Sequence, residues 1–209
     1  MYKKIRISAL FLLPFLVTNN LFSAENIKIK SEISQDKAIQ NFIAWDKNLK
    51  TLDTFYRQSV SFEETLISKS FGHILKNGNL LRIETLEEGK ITQYALTDKK
   101  IIQLFDEKGN SVMNMSWQSW QDSQQNKSLF DFGNYEKIIK KHKVLAFEVK
   151  EDGYTLALAP KKGEPYTLTF DLNKDFFPIE ITLLSEGVQS KTTLQDIKIN
   201  TGLKEEYFK

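Results

Sequence analysis

GHILKNGNLLRIETLEEGKITQYALTDKKIIQLFDE, from Gly72 to Glu107, alternates apolar and polar side chains through successive runs. Between the runs stand Lys76-Asn77-Gly78-Asn79, Glu87-Glu88-Gly89-Lys90 and Thr97-Asp98-Lys99-Lys100. A period of two places one face of each run against apolar surroundings and the other in water. Short breaks rich in Gly, Asn and Asp are hairpin turns, so neighbouring runs pair as an antiparallel meander.

Working outward, the same pattern predicts strands over 61–68, 71–76, 79–86, 91–97, 100–105 and 111–117. Five more follow in "VLAFEVKEDGYTLALAP", "PYTLTFDLN" and "FPIEITLLSEGVQSKTTLQDIKIN", with hairpin turns at Asp152-Gly153 and Glu186-Gly187. Ile39, Phe42, Ile43, Leu49 and Leu52 recur at helical spacing, and predict one amphipathic helix from Ser34 to about Phe55, with Asp46 on its polar side. Residues 118–143 break the meander: a Gln-rich loop, then one or two short helices ending in the basic run "KIIKKHK", read as a solvated helix end. The adjacent acids Glu63 and Glu64 are placed in a strand, facing opposite ways.

The first residues, "MYKKIRISALFLLPFLVTNNLFSAEN", have the layout of a secretory signal peptide: basic Lys3, Lys4 and Arg6, an apolar run from Ile7 to Val17, then small Ser23 and Ala24. The run is shorter than the roughly 20 residues of a spanning helix, the alternative being a retained anchor. Residues 1–24 are assigned to the signal peptide and 25–209 to a single domain. With 209 residues, 41% hydrophobic, the chain fills one core and is small for two. Of 29 basic residues, removing the leader's three leaves 26 against 27 acidic, a balance that argues against nucleic-acid binding. There is no cysteine to bridge or to carry an acyl anchor after the leader.

Chemistry-bearing constellations are scarce. His73 and His142 are read as ordinary surface histidines, without the clustered ligands of a metal site. No G-x-S-x-G elbow and no phosphate-binding glycine loop occurs. No catalytic residue, metal or cofactor is assigned, and the chain is read as a non-enzyme. A large antiparallel sheet curls. One long helix and a short insertion are the only covering available, which predicts a half-closed barrel with helices across its mouth, its apolar interior holding either packed side chains or a ligand. Met113, Met115 and Trp117 are placed on one strand face, with Trp120, Leu129, Phe130 and Phe132 following.

On these elements the chain resembles the periplasmic outer-membrane lipoprotein carrier family, LolA and its relatives. The resemblance lies in the leader without a lipidation cysteine, the N-terminal helix, "SVSFEET" (59–65), "GHILKNGNLLRIE", "ALTDKKIIQLFDE", and the strand series "YTLALAPKK", "YTLTFDLN" and "FPIEITLLSEGVQSKTTLQDIKIN". It implies a mainly β fold with α: an unclosed, strongly curved antiparallel half-barrel of about eleven strands under a helical lid. It implies a monomeric periplasmic carrier whose cargo is acylated lipoproteins. The cargo would come from an inner-membrane lipoprotein-releasing ABC transporter and go to an outer-membrane receptor or the outer membrane itself. The implied acyl-chain cavity takes in Phe62, Leu81, Ile83, Met113, Met115, Trp117, Leu129, Phe130, Phe132, Leu156, Leu158, Leu168, Phe170, Ile181 and Leu183. Carriage of other acylated lipids or glycolipids, and a lipoprotein-sensing module of the same fold, are the alternatives. The family's basic-Pro turn is Lys76-Asn77-Gly78 here, so no residue is carried over as the lid latch.

Overall fold

In a computed structural model, residues 33–123 and 127–208 are described, within one compact unit, Glu32–Lys209. The assigned leader lies outside them. Helix α1 (Gln35–Asn48) begins at Ser34, whose hydroxyl accepts from the Lys37 N–H at 3.3 Å. The chain then runs through β1 (Thr51–Phe62), β2 (Thr65–Asn77), β3 (Leu80–Glu87), β4 (Lys90–Thr97), β5 (Ile101–Asp106) and β6 (Ser111–Ser116). Helices α2 (Trp117–Ser123) and α3 (Tyr135–Lys141) follow, with a 3₁₀ turn at Lys127–Phe130 between them. The second series is β7 (His142–Lys150), β8 (Gly153–Pro160), β9 (Thr167–Asn173), β10 (Pro178–Ser185) and β11 (Val188–Ile199).

All eleven strands form one antiparallel sheet in the order β6-β5-β4-β3-β2-β1-β11-β10-β9-β8-β7. Each half is a sequential meander, and β1 pairs with β11 to join them. The two free edges, β6 and β7, are consecutive in the chain but lie at opposite ends of the sheet. The α2–α3 connection must therefore cross from one edge to the other, over the mouth of the curled sheet. The lid is a consequence of this topology.

The expected helix ends sooner than Phe55. Leu49 is already extended, and the Lys50 and Thr51 amides donate to Asn200 Oδ1 at 2.8 and 3.2 Å, turning the chain into β1. Leu52 satisfies both helical and strand spacing. In β1 it is fully buried, with Thr54 and Tyr56 on the same face. The expected strand over 61–68 instead spans a hairpin: Glu63 and Glu64 are its two turn residues, with φ of 44° and 69°. Positive φ at both positions gives the primed turn that matches strand twist. The Glu63 N–H donates to Gly187 O at 3.0 Å, tying this tip to the β10–β11 turn.

The concave face is apolar. Leu52, Tyr56, Ile74, Leu81, Ile83 and Ile102 of the first half meet Leu156, Leu158, Leu168, Phe170 and Ile181 of the second in one buried cluster. Gly72 is glycine because the Tyr56 ring lies across it. A Cβ there would come within 2.4 Å of that ring and 2.1 Å of the Glu84 carbonyl oxygen. No helix among the described residues is long and apolar enough to cross a membrane.

Candidate functional site

The half-barrel is filled from its open side. Phe42 of α1 packs on Tyr135 of α3 at 5.2 Å and on Phe170 of β9 at 5.3 Å, and Tyr135 meets Phe170 at 5.3 Å. Beside this group, Trp117 stacks on Trp120 at 4.9 Å and Trp120 meets Phe130 at 5.1 Å. Beside Trp120 and Phe130 a cavity of about 250 Å³ remains, its wall mixed: Tyr56, Ile83, Ala95 and Leu104 on the apolar side, Gln58, Ser70, Thr85 and Gln93 on the polar side. That is below the roughly 300–1,000 Å³ of ordinary ligand pockets. An apolar guest larger than this needs the lid's aromatic side chains to move.

Of the residues expected at the cavity, Leu81, Ile83, Trp117, Leu129, Phe130, Phe132, Leu156, Leu158, Leu168, Phe170 and Ile181 belong to the buried cluster, with Met115 packed against it. Leu183 is half-buried. Two depart from the expectation. Phe62 is 44% exposed as the last residue of β1 before the turn, and Met113 is 47% exposed on edge strand β6, which has a sheet neighbour on one side only. Trp117 does not continue β6: it opens α2, and its i, i+3 spacing to Trp120 was the helical signal within a polar segment. The Gln-rich stretch is thus helical up to Ser123. Sequence reasoning also missed Phe42, Tyr56 and Tyr135, which complete the aromatic lining.

The lid is held by polar bonds. Asp46, only 1% exposed, lies on the inner side of α1 rather than its solvent face. Its carboxylate accepts the Gly133 N–H and, at 2.8 Å, the Tyr135 N–H. These amides open α3, whose own N-cap residue Asn134 makes no side-chain capping bond. Asp46 therefore caps α3 from another element. Lys99 Nζ, from the β4–β5 turn, donates to Phe132 O at 2.6 Å, and Gln121 Nε2 donates to Asp131 Oδ1 at 2.9 Å. Lys47 pairs with Glu136 at 2.7 Å on the rim. Lys76 is buried and donates to Leu49 O, bracing the α1–β1 corner.

Charges in this floor are costly. Burial raises the Asp46 carboxyl above the usual range, against the pull of its two amide partners and of Lys99 and Lys76. Burial, aided by the nearby Lys99 charge, brings the Lys76 ammonium down to about 8. Burial likewise raises Asp131 and lowers Lys99. The Tyr135 hydroxyl is buried without a hydrogen-bond partner. Replacing an unsatisfied buried hydroxyl by hydrogen removes a desolvation cost, so Tyr135→Phe is expected to raise stability by about 1 kcal/mol, read as an upward shift of the urea midpoint.

Neither histidine is an ordinary surface residue. His142, at the start of β7, engages Ile138 O at 2.6 Å and the Tyr166 hydroxyl at 2.7 Å. His73, on the convex face, bridges Asp53 at 2.8 Å and Glu84 at 3.1 Å. Glu84 also takes Arg82 at 2.6 Å, and Arg82 lies over the Tyr94 ring at 4.1 Å. Burial favours the neutral His73 ring, but the Glu84 and Asp53 carboxylates outweigh it and raise its pKa above 6.5. A raised basic pKa gives stability that is complete below pH 6.5 and is lost as pH climbs through the folded value. The His73→Gln variant is expected to lack that slope. Denaturation midpoints between about pH 5 and 8 measure it, and equal slopes in both proteins would exclude the ion bridge.

No protein-family model matches the chain, and no curated protein does. Solved structures do. A LolA superfamily protein from Nitrosomonas europaea superposes with a TM-score of 0.51 at 10% identity, over 85% of this chain and 98% of that one. A DUF1329 family protein from Desulfovibrio piger gives 0.47 at 11% identity, over 83% and 95%. Lipoprotein LppX from Mycobacterium tuberculosis gives 0.44 at 9% identity, over 80% and 95%. With its unclosed eleven-stranded sheet and the helices crossing its mouth, the chain has the LolA-like fold.

Proposed function

We propose that this protein is a non-catalytic periplasmic carrier. It shields the acyl chains of lipoproteins inside the half-barrel and moves them from the inner membrane to the outer membrane. The observation that carries the reading is the nature of the closure: an apolar concave face is covered by helices, not by further sheet, and these rest on it through aromatic contacts and are tied down by a few polar bonds. Such a cover lifts without breaking strand pairing. Burying acyl chains contributes roughly 0.8 kcal/mol per CH₂, enough to displace the lid's own aromatic groups. An inner-membrane ABC transporter for loading and an outer-membrane receptor or membrane for unloading are the partners that the resemblance to the lipoprotein carriers implies. A chain bound this firmly leaves only for another apolar surface.

The test is release from spheroplasts. They are incubated with purified protein lacking residues 1–24, the cells are removed, and soluble complexes are isolated. Acylated lipoproteins co-purifying in stoichiometric amount are the expected result. Mass spectrometry of the bound material separates lipoprotein from glycolipid cargo. A folded protein that extracts no acylated molecule would overturn the carrier reading.

A further inference from the structure

A second cleft lies on the outer side of the lid. It has a volume of about 560 Å³ and is walled by α2, α3, the β4–β5 turn and Tyr166. Lys99 and Lys100 enter it from the turn, Lys137 and Lys141 from α3, and Trp117 from α2. The carboxylates facing it are Asp98 and Asp131. Asp98 is occupied by the Lys100 and Ile101 amides, and Asp131 accepts from Gln121. Both ring nitrogens of His142 are engaged, one of them with Tyr166. Lys100, Lys137 and Lys141 form no salt bridge with any described residue, whereas Lys140, one position away, reaches Glu136 at 2.9 Å. The cleft thus has the size of a ligand pocket and more ammonium groups than carboxylates to balance them.

This cleft and the cavity beside Trp120 share a wall. Trp117 lines the first and Trp120 the second, and the two indoles stack at 4.9 Å. We propose that the cleft binds a phosphate-type anion, and that one amphiphile straddles α2 with its acyl chains beside Trp120 and its anionic headgroup among Lys100, Lys137 and Lys141, Lys99 being held by Phe132 O behind them. Lysine ammoniums suit phosphate as point charges. The inference rests on the carrier reading of the half-barrel and selects among its guests: an anionic lipid, with negative charge next to its acyl chains, over an acylated lipoprotein, whose lipidated cysteine has no phosphate.

The probes are short-chain phosphatidylglycerol, phosphatidylcholine of the same chain length, dodecyl maltoside and inorganic phosphate, each titrated by calorimetry below its micellar concentration. The anionic lipid should bind at least about tenfold tighter than the zwitterionic one at low salt, with the gap closing as salt rises. Lys137→Glu/Lys141→Glu should abolish the preference and leave dodecyl maltoside binding unchanged. Both side chains are exposed, and Lys137→Gln/Lys141→Gln is the milder companion. Equal affinity for the two lipids, or a preference that survives charge reversal, overturns the proposal and leaves the carrier reading standing. Phosphate binding without any amphiphile binding keeps the anion site, assigns it to free phosphate and removes the carrier reading. Failure of every probe removes both.

Discussion

Asp46→Ala is expected to weaken the fold and, at the same time, to tighten acyl binding. The substitution leaves the buried Tyr135 amide and the part-buried Gly133 amide without their acceptor. Each orphaned group costs on the order of 1–3 kcal/mol, so the closed lid loses about 3 kcal/mol. A purely structural residue would lower stability and lower affinity together. On the proposed carrier reading the closed lid fills the space the guest needs, so binding is weakened by the rarity of the open state. Raising that population strengthens apparent affinity by about tenfold for each 1.4 kcal/mol removed from closure. Urea denaturation, a titration with dodecyl maltoside, and amide exchange over Tyr135–Lys141 read the three consequences separately. Asp46→Asn keeps one acceptor oxygen and should fall between the two proteins. Reduced stability with unchanged affinity would mean that the lid does not gate the half-barrel.

Phe170→Ala should produce the largest loss of stability, about 4 kcal/mol, in the range for deleting a fully buried phenyl ring. The ring has no exposed surface. It supports Phe42 of α1 and Tyr135 of α3 at the same distance, 5.3 Å. Its removal therefore loosens the N-terminal helix and the lid together. Combined with Tyr135→Ala it should be less damaging than the two single losses summed, because the pair shares one contact. Strict additivity would show that α3 does not rest on the sheet at this point.

Where alternation and turn chemistry agreed, the sequence was legible to within a residue or two. β3, β4 and β5 are bounded by Gly78, Gly89 and Lys99, all at positive φ. β1 was hidden because Leu49 and Leu52 fit a helix as well as a strand, and no Gly or Pro marks residues 48–51. The β1–β2 turn was hidden because it uses two glutamates where glycine or asparagine is usual. The eleven-strand half-barrel survived these errors, since its count and curl depend on the sum of the pattern. Most expected interior residues were also legible, because period two fixes the face. The polar latch was not. Asp46 lies 87 positions before the Gly133 amide it accepts, and His73 finds Asp53 and Glu84 across two strand pairings. Such partners are products of register, which no local window contains.

The pairing of β1 with β11 has a kinetic consequence. Val60 meets Ser190 and Tyr56 meets Leu194, so the seam joins segments more than a hundred residues apart, while every other pairing links strands adjacent in sequence. Loop closure on that scale is slow and comes after local hairpins. The two meanders can zip early, and the seam sets the rate of the final step. Until it forms, β1 presents a twelve-residue unpaired edge with Leu52, Tyr56 and Val60 uncovered. The longest-lived hazard in the life of this chain is therefore a newly made molecule whose last strand has not yet arrived.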